Sequence, residues 1–311
     1  MEYSPLGRTG LQVTVMGLGC GGHSRLGQSY GLSEEDSAEV VRTAITRGIN
    51  FIDTAEVYGT EAIVGQGLSR QPRESFVLST KFSPTSDGNP INPAKVRSAL
   101  ENSLRRLQLD YVDIYHLHGL NIKHYDYAVS EFVPELLKLR DEGKIRFLGI
   151  TEAFASDPGH TMLQRAVQDD CWDVMMVGFN ILNQSARERV LATAAKKNIG
   201  ILVMFVVRRA LTSQANLNEL LISLESNGLV DAKSVEQLLN SMISEGRAAS
   251  LQDIAYRFCR YEPGVHVVLS GTGNLAHLDS NAASLDQPPL PPEDVARLRE
   301  LFKKIDGISG N

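Results

Sequence analysis

Four side chains of types that move protons stand at or just beyond the ends of short apolar runs. Asp53 lies in NFIDTA, Lys81 closes SFVLSTK, His118 closes YVDIYHLH, and Tyr58 follows Asp53 by five residues. A lysine at the end of a buried strand needs a partner, because an unpaired buried ammonium is costly; Asp53 can supply it. A phenol beside that ammonium is expected to have its pKa drawn down from about 10. That would make it a general acid usable near neutral pH. Taken singly, an Asp after a strand is often a helix cap, a Lys a solvated end and a His a satisfied core residue. The reading rests on all four coming from consecutive strands.

Bringing them together is a matter of architecture. Strand-like runs occupy residues 13–19, 50–55, 75–81, 111–118, 145–151, 172–180, 200–207 and 265–271, with helical patterns near 34–47, 60–70, 92–107, 128–142, 160–169, 185–197, 249–260 and 274–285. Several of the strands are almost continuously apolar, as parallel strands buried on both faces must be. Eight strand–helix units in series predict an α/β fold, a closed (β/α)8 TIM barrel whose chemistry sits on the loops at the strands' C-terminal ends. Local signals agree. Ser33 with Asp36 reads as a helix cap, Asn92-Pro93 as a helix start, and Gly48, Gly143 and Gly200 as left-handed helix ends. Residues 1–12 read as an N-terminal hairpin cap on the barrel's bottom. Residues 208–248 are an insertion after strand seven with helical patches, and 288–306 a Pro-rich lead into a C-terminal helix. With no repeat beyond the strand–helix unit and no linker, 1–311 is expected to be one domain.

Composition narrows the function classes. The 311 residues are 42% hydrophobic and 22% charged, ordinary for a globular chain with a large core. A net charge of −6 leaves no electrostatic footprint for nucleic acid. No apolar stretch approaches the roughly 18 residues of a membrane span, and the opening MEYSPLGRTG does not read as a signal peptide. Cys20, Cys171 and Cys259 are too scattered for a disulfide framework or a metal site, which suggests a reducing compartment. The expectation is a cytoplasmic enzyme acting on a small molecule, with no nucleic-acid or membrane partner, as a monomer or small homo-oligomer.

Two motifs invite other readings. Gly17, Gly19 and Gly22 spell GxGxxG, but no helix opens at the last glycine to receive a pyrophosphate, so a dinucleotide fingerprint is rejected in favour of a loop whose backbone approaches a ligand closely. His116-x-His118 puts two imidazoles on one strand face, a spacing that metal-dependent hydrolases use, yet strands five to eight end in Thr151, Asn180, Val207 and Gly271, which add no third ligand. No metal is expected.

The blocks MEYSPLGRTGLQVTVMGLG, INFIDTAEVYG, LSTK, LRRLQLDYVDIYHLH, GKIRFLGIT and SGTGNLAHLDSN, in this order, resemble the aldo-keto reductase family over nearly the whole chain. The resemblance implies a nicotinamide-dependent oxidoreductase that interconverts a carbonyl (aldehyde, ketone or sugar lactol) and an alcohol. It implies that Tyr58 protonates the carbonyl oxygen, that Lys81 tunes it with Asp53 behind, and that His118 orients the carbonyl. For the cofactor, NAD or NADP, it points to Gly19, Cys20, Gly21, Asp53, Thr151, Met176, Met204, Phe205, Gly271, Thr272, Gly273, Asn274, His277 and Asn281. Departures are visible. Thr151-Glu152 replaces a Ser-Asn pair, Met176 replaces a glutamine while Asn180 is kept, and Met204 or Phe205 takes the place of a stacking aromatic. NADP-using members commonly carry Arg or Lys where Gly273 stands, so NAD is favoured unless Arg208, Arg209 or another distant arginine supplies the charge. Tyr30, His23, Phe82, His124, Tyr125, Phe154 and Phe205 are candidate substrate-pocket residues. The other reading on this fold is a regulatory nicotinamide-binding protein without turnover.

Overall fold

The computed structural model describes residues 1–310. Tyr3–Pro5 (β1) and Gln12–Thr14 (β2) form an antiparallel hairpin. Eight parallel strands then close a barrel: β3 Met16–Gly19, β4 Phe51–Asp53, β5 Val77–Phe82, β6 Val112–Leu120, β7 Ile145–Glu152, β8 Val174–Gly178, β9 Gly200–Met204 and β10 Val267–Ser270. Each pairs with its sequence neighbours, and β10 returns to β3. The chain is therefore a (β/α)8 barrel, as its alternation of elements predicts.

Period-two alternation sorts the strand residues into two layers. Phe51, Val77, Ile114, Phe147, Val174, Met176, Leu202, Met204, Val267 and Leu269 pack inside the barrel, and Leu6, Leu11 and Val13 of the hairpin plug its bottom. Leu18, Ile52, Leu78, Leu148, Met175 and Val203 face outward into the shell of helices. Two residues beyond inward-facing positions come Asp53, Ser79 and, after another two, Lys81 and His118. The same parity that fills the core thus aims these polar groups up the barrel axis. Gly17 is part of this packing, because a β-carbon there would sit 2.9 Å from Phe51, Val267 and Leu269.

Some boundaries differ from the sequence reading. The first run, 13–19, divides at Val15, because the Thr14 amide turns to the Asn50 side chain at 2.8 Å and its hydroxyl to the Met16 carbonyl at 2.7 Å. The helix expected from Asn92 begins at Lys95, since Asn92 Oδ1 accepts from the Ala94 amide in a preceding turn. Gly48 and Gly143 are left-handed helix ends (φ 80° and 74°), but at the third site the left-handed residue is Asn198 (φ 53°). Gly200 instead opens β9, where a side chain would collide with Leu6. The Ser33 cap holds, its hydroxyl accepting from Asp36 N at 3.1 Å. Residues 208–248 carry helices Gln214–Ser226 and Ala232–Ser244, and the tail carries Pro292–Phe302.

Candidate active site

At the C-terminal mouth of the barrel, Lys81 Nζ donates to both oxygens of Asp53, at 2.6 and 2.8 Å, and to the Thr54 carbonyl at 2.7 Å. Ser79 Oγ donates to Asp53 at 2.8 Å. All three ammonium protons therefore have acceptors, as a fully buried lysine requires. Burial works against the Lys81 charge, but Asp53 and Tyr58 hold it, and the ammonium's pKa ends above its usual value. Ser79 was missed in the sequence, although its position two residues before Lys81 marks it as inward-facing.

Tyr58 lies in a short turn, Glu56–Tyr58, after β4. Its ring passes beside the ammonium, with Lys81 Nζ 4.9 Å from the ring centroid. Its hydroxyl is 3.4 Å from His118 Nε2, and the two rings meet edge to face. Gly21 permits this placement, because any side chain there would overlap the phenol ring. His118 is only partly buried, and burial with the Lys81 charge pushes its pKa down to about 3. The imidazole is neutral across the physiological range. One expectation fails here. The Tyr58 phenol is raised, not lowered: burial dominates, Lys81 pulls it down, and Asp53 offsets that pull because it already neutralises the ammonium.

Of these residues, Asp53 and Tyr58 line a cavity of about 1690 Å³. Of the residues assigned to the cofactor, Gly19, Gly21, Asp53, Met176, Met204, Phe205, Gly271, Thr272, Gly273, Asn274, His277 and Asn281 line it. Cys20 and Thr151 do not. Cys20 follows the inward-facing Gly19 and so faces the helical shell, fully buried. Thr151 points inward, but its hydroxyl accepts from the Gly119 amide at 2.7 Å. Glu152 has the opposite parity to Thr151 and turns away from the cavity, taking the Gly178 amide at 2.7 Å and His160 Nδ1 at 2.9 Å. The second half of the departed Ser-Asn pair is thus a structural clamp between β7 and β8. Asn180 is likewise structural, bridging the Phe205 carbonyl and the Leu182 and Asn183 amides.

The segment 271–274 fits an anionic ligand in part. The amides of Gly271, Thr272 and Gly273 make no backbone hydrogen bond among the described residues. Asn274 caps the helix Leu275–Asp286, its Oδ1 accepting from Ala276 and His277, so those two amides are already engaged. Among the proposed substrate residues, His23, Tyr30 and Phe205 reach the cavity. Phe82 packs on Phe132, Tyr125 is buried against Trp172 and Asp169, His124 binds the Gly88 carbonyl, and Phe154 is buried. No group of three His, Cys, Asp or Glu side chains suited to a metal occurs among the described residues, and none of their helices is long and apolar enough to cross a membrane.

Comparison with known proteins follows the same lines. The profile of the aldo/keto reductase family matches residues 17–303. L-galactose dehydrogenase of Arabidopsis thaliana is 42% identical over 157 residues, an alignment spanning about half of each chain (49% of this one, 48% of the other). A probable aldo-keto reductase of Glycine max is 28% identical over 96% of this chain and 88% of its own. The holo form of aldo-keto reductase AKR11C1 from Bacillus halodurans superimposes with a TM-score of 0.78 at 25% identity, covering 98% of this chain and 97% of that one. With the family profile running through almost the whole barrel, this chain belongs to the aldo/keto reductase family of NAD(P)-dependent oxidoreductases.

Proposed function

We propose that the protein interconverts the carbonyl and alcohol forms of a small polyhydroxy substrate, an aldose or its lactol, with Tyr58 as the acid–base group. The observation that carries this reading is the phenol hydroxyl held 3.4 Å from His118 Nε2, beside the buried Lys81–Asp53 pair and facing the cavity. A nicotinamide held in this cavity would supply or accept the hydride. The chain supplies the rest. In reduction, Tyr58 gives its proton to the carbonyl oxygen as negative charge develops there; in oxidation it takes the proton back. Lys81 stabilises the phenolate left behind, and Asp53 and Thr54 fix the ammonium in place. Neutral His118 can donate from Nε2 to the same oxygen and so orient the carbonyl.

Glycine-lined backbone at Gly19, Gly21 and Gly271 suits close approach of a dinucleotide, and Met176 and Met204 offer an apolar floor. NAD is the favoured cofactor, because no cation stands in the 271–274 segment. The sugar class is supported by the 42% identity of a 157-residue stretch of the chain to an L-galactose dehydrogenase. Turnover of L-galactose, related aldoses and simple aldehydes with both cofactors, in both directions, tests this. Activity confined to simple aldehydes overturns the substrate class, and silence across the panel overturns the reaction.

A further inference from the structure

Arg208 is a cation in the cavity wall with no counter-charge. Its guanidinium carbon lies 4.0 Å from the centroid of the Phe205 ring, and Nη2 donates to Ser309 Oγ at 3.3 Å. The side chain is half-buried, Nε is buried without an acceptor, and no carboxylate among the described residues pairs with it. Burial lowers the guanidinium pKa from its usual value. The neighbouring Arg209 is exposed and pairs with Glu219 at 2.8 Å, so charge is not simply accumulating on this loop.

The platform under Arg208 is fixed with care. Phe205 has φ 67°, a conformation unfavourable for any residue with a β-carbon. Asn180 holds its carbonyl at 3.1 Å. Phe154 lies parallel to the Phe205 ring at 6.0 Å, and His160 stacks on Phe154 at 5.4 Å. Glu152 anchors His160. A column of four planar groups thus runs from a buried carboxylate to a guanidinium with free donors on the cavity. A preorganised guanidinium without an internal partner is a receptor for an oxyanion.

Three oxyanions could meet it: a 2′-phosphate, the diphosphate of a dinucleotide, or an acid group of the substrate. Position separates them. Arg208 and Ala210 are tied to the C-terminal tail, at Ser309 and Gly310, whereas Leu211 and Thr212, at the far end of the loop, bond Gln252 on the helix packed against the 275–286 helix. Arg208 is therefore at the strand end of the loop, away from the helix Leu275–Asp286 that follows the 271–274 segment. It also shares one continuous cavity with Gly19, Gly21 and Gly271.

We propose that Arg208, seated on Phe205, binds the diphosphate oxygens of the dinucleotide. The inference rests on the dinucleotide reading given above. It is tested by equilibrium titration of the purified protein with NADH, NADPH and ADP-ribose, followed by calorimetry. Arg208→Met should weaken all three by a common factor of about ten to a hundred, the range for a lost charged hydrogen bond. Arg208→Lys should recover part of the loss, while the ligand-free Tm of both variants stays near wild type. A loss confined to NADPH assigns Arg208 to a 2′-phosphate and overturns the proposal. Unchanged binding of all three overturns it as well, and a raised KM for acidic substrates would then mark a substrate site. If Arg208→Met does not fold, Arg208→Gln carries the same comparison. Wild-type protein that binds none of the three ligands overturns the dinucleotide reading itself.

Discussion

Gly273 lies directly against Gly27. Any side chain at position 273 would begin inside contact distance of the Gly27 backbone, so the loop that leaves β3 closes over the segment that follows β10. This gives a steric reason for a glycine where NADP-using relatives carry a cation: the room for that side chain is taken. Gly27 itself adopts φ 90°, which only glycine holds without strain.

Two outcomes follow for the cofactor. The wild-type protein should use NAD(H) at least as well as NADP(H), judged by kcat/KM with any substrate it turns over; an NADP(H) preference of about 100-fold would refute this, since it is what a charged contact to the 2′-phosphate contributes. Gly273→Arg alone should not create an NADP enzyme. It should lower Tm, since forcing atoms into filled space costs about 1–3 kcal/mol. A stable Gly273→Arg protein with improved NADP(H) use would show that the loop yields.

Tyr58→Phe removes the proton donor and keeps the ring against Gly21 and Lys81. Turnover should fall by at least about 10²-fold, the lower range for general acid catalysis, with dinucleotide affinity close to wild type. Wild-type turnover in this variant would reassign the acid.

The Lys81–Asp53 pair should be structural and functional at once. Lys81→Met leaves a buried carboxylate unpaired, and losing one partner of a buried pair typically costs about 3–5 kcal/mol. Turnover should vanish and Tm should drop. Asp53→Asn should reduce activity less, because Thr54 still accepts from the ammonium. A crystal structure with Lys81 turned to solvent would remove the basis for both expectations.

The pH dependence has a definite sign. Tyr58 is raised above its ordinary value of about 10, so the acid for reduction is present throughout neutral pH and is lost only on strongly alkaline titration. His118, depressed to about 3, gives no limb between pH 5 and 9 on the ordinary imidazole scale of about 6.5. Reduction should be flat over that range. For stability the unfolded imidazole binds a proton that the folded one refuses, so His118 contributes a loss of stability as pH falls from about 6.5 towards 3. His118→Asn should be less acid-sensitive in a Tm–pH series, and equal sensitivity would count against the assigned burial.

Much of the site was legible in the sequence because the period-two rule that buries Phe51, Val77 and Ile114 also aims Asp53, Lys81 and His118. The same rule, applied one residue further, would have turned Cys20 and Glu152 away from the cavity and brought in Ser79. What local pattern cannot hold is contact between distant loops. Gly27 against Gly273, Arg208 against Ser309, and Glu152 against His160 are set by how the barrel closes. The direction of the Tyr58 shift was missed for a related reason, since it depends on how completely Asp53 neutralises Lys81 and how deeply the ring is buried.

His116 and His118 share a strand face, yet they should behave differently. His116 is fully buried, is paired in register with Lys81, and has neither ring nitrogen in a hydrogen bond. Burial and the nearby Lys81 hold it neutral. Gly149 on the next strand leaves room for its ring, since any side chain there would overlap it. His118, one pleat higher, meets Tyr58 instead. His118→Ala should therefore cut kcat/KM strongly with little change in Tm. His116→Ala should lower Tm through the cavity it leaves, a loss of order 2–5 kcal/mol for a large buried side chain, with kcat affected far less. His116→Leu fills the space without an orphaned polar group, and replacing such a group by an apolar one is often neutral or stabilising. A His116→Leu protein that is stable but loses turnover as badly as His118→Ala would place His116 in the chemistry and move the working end of β6 one pleat down the barrel.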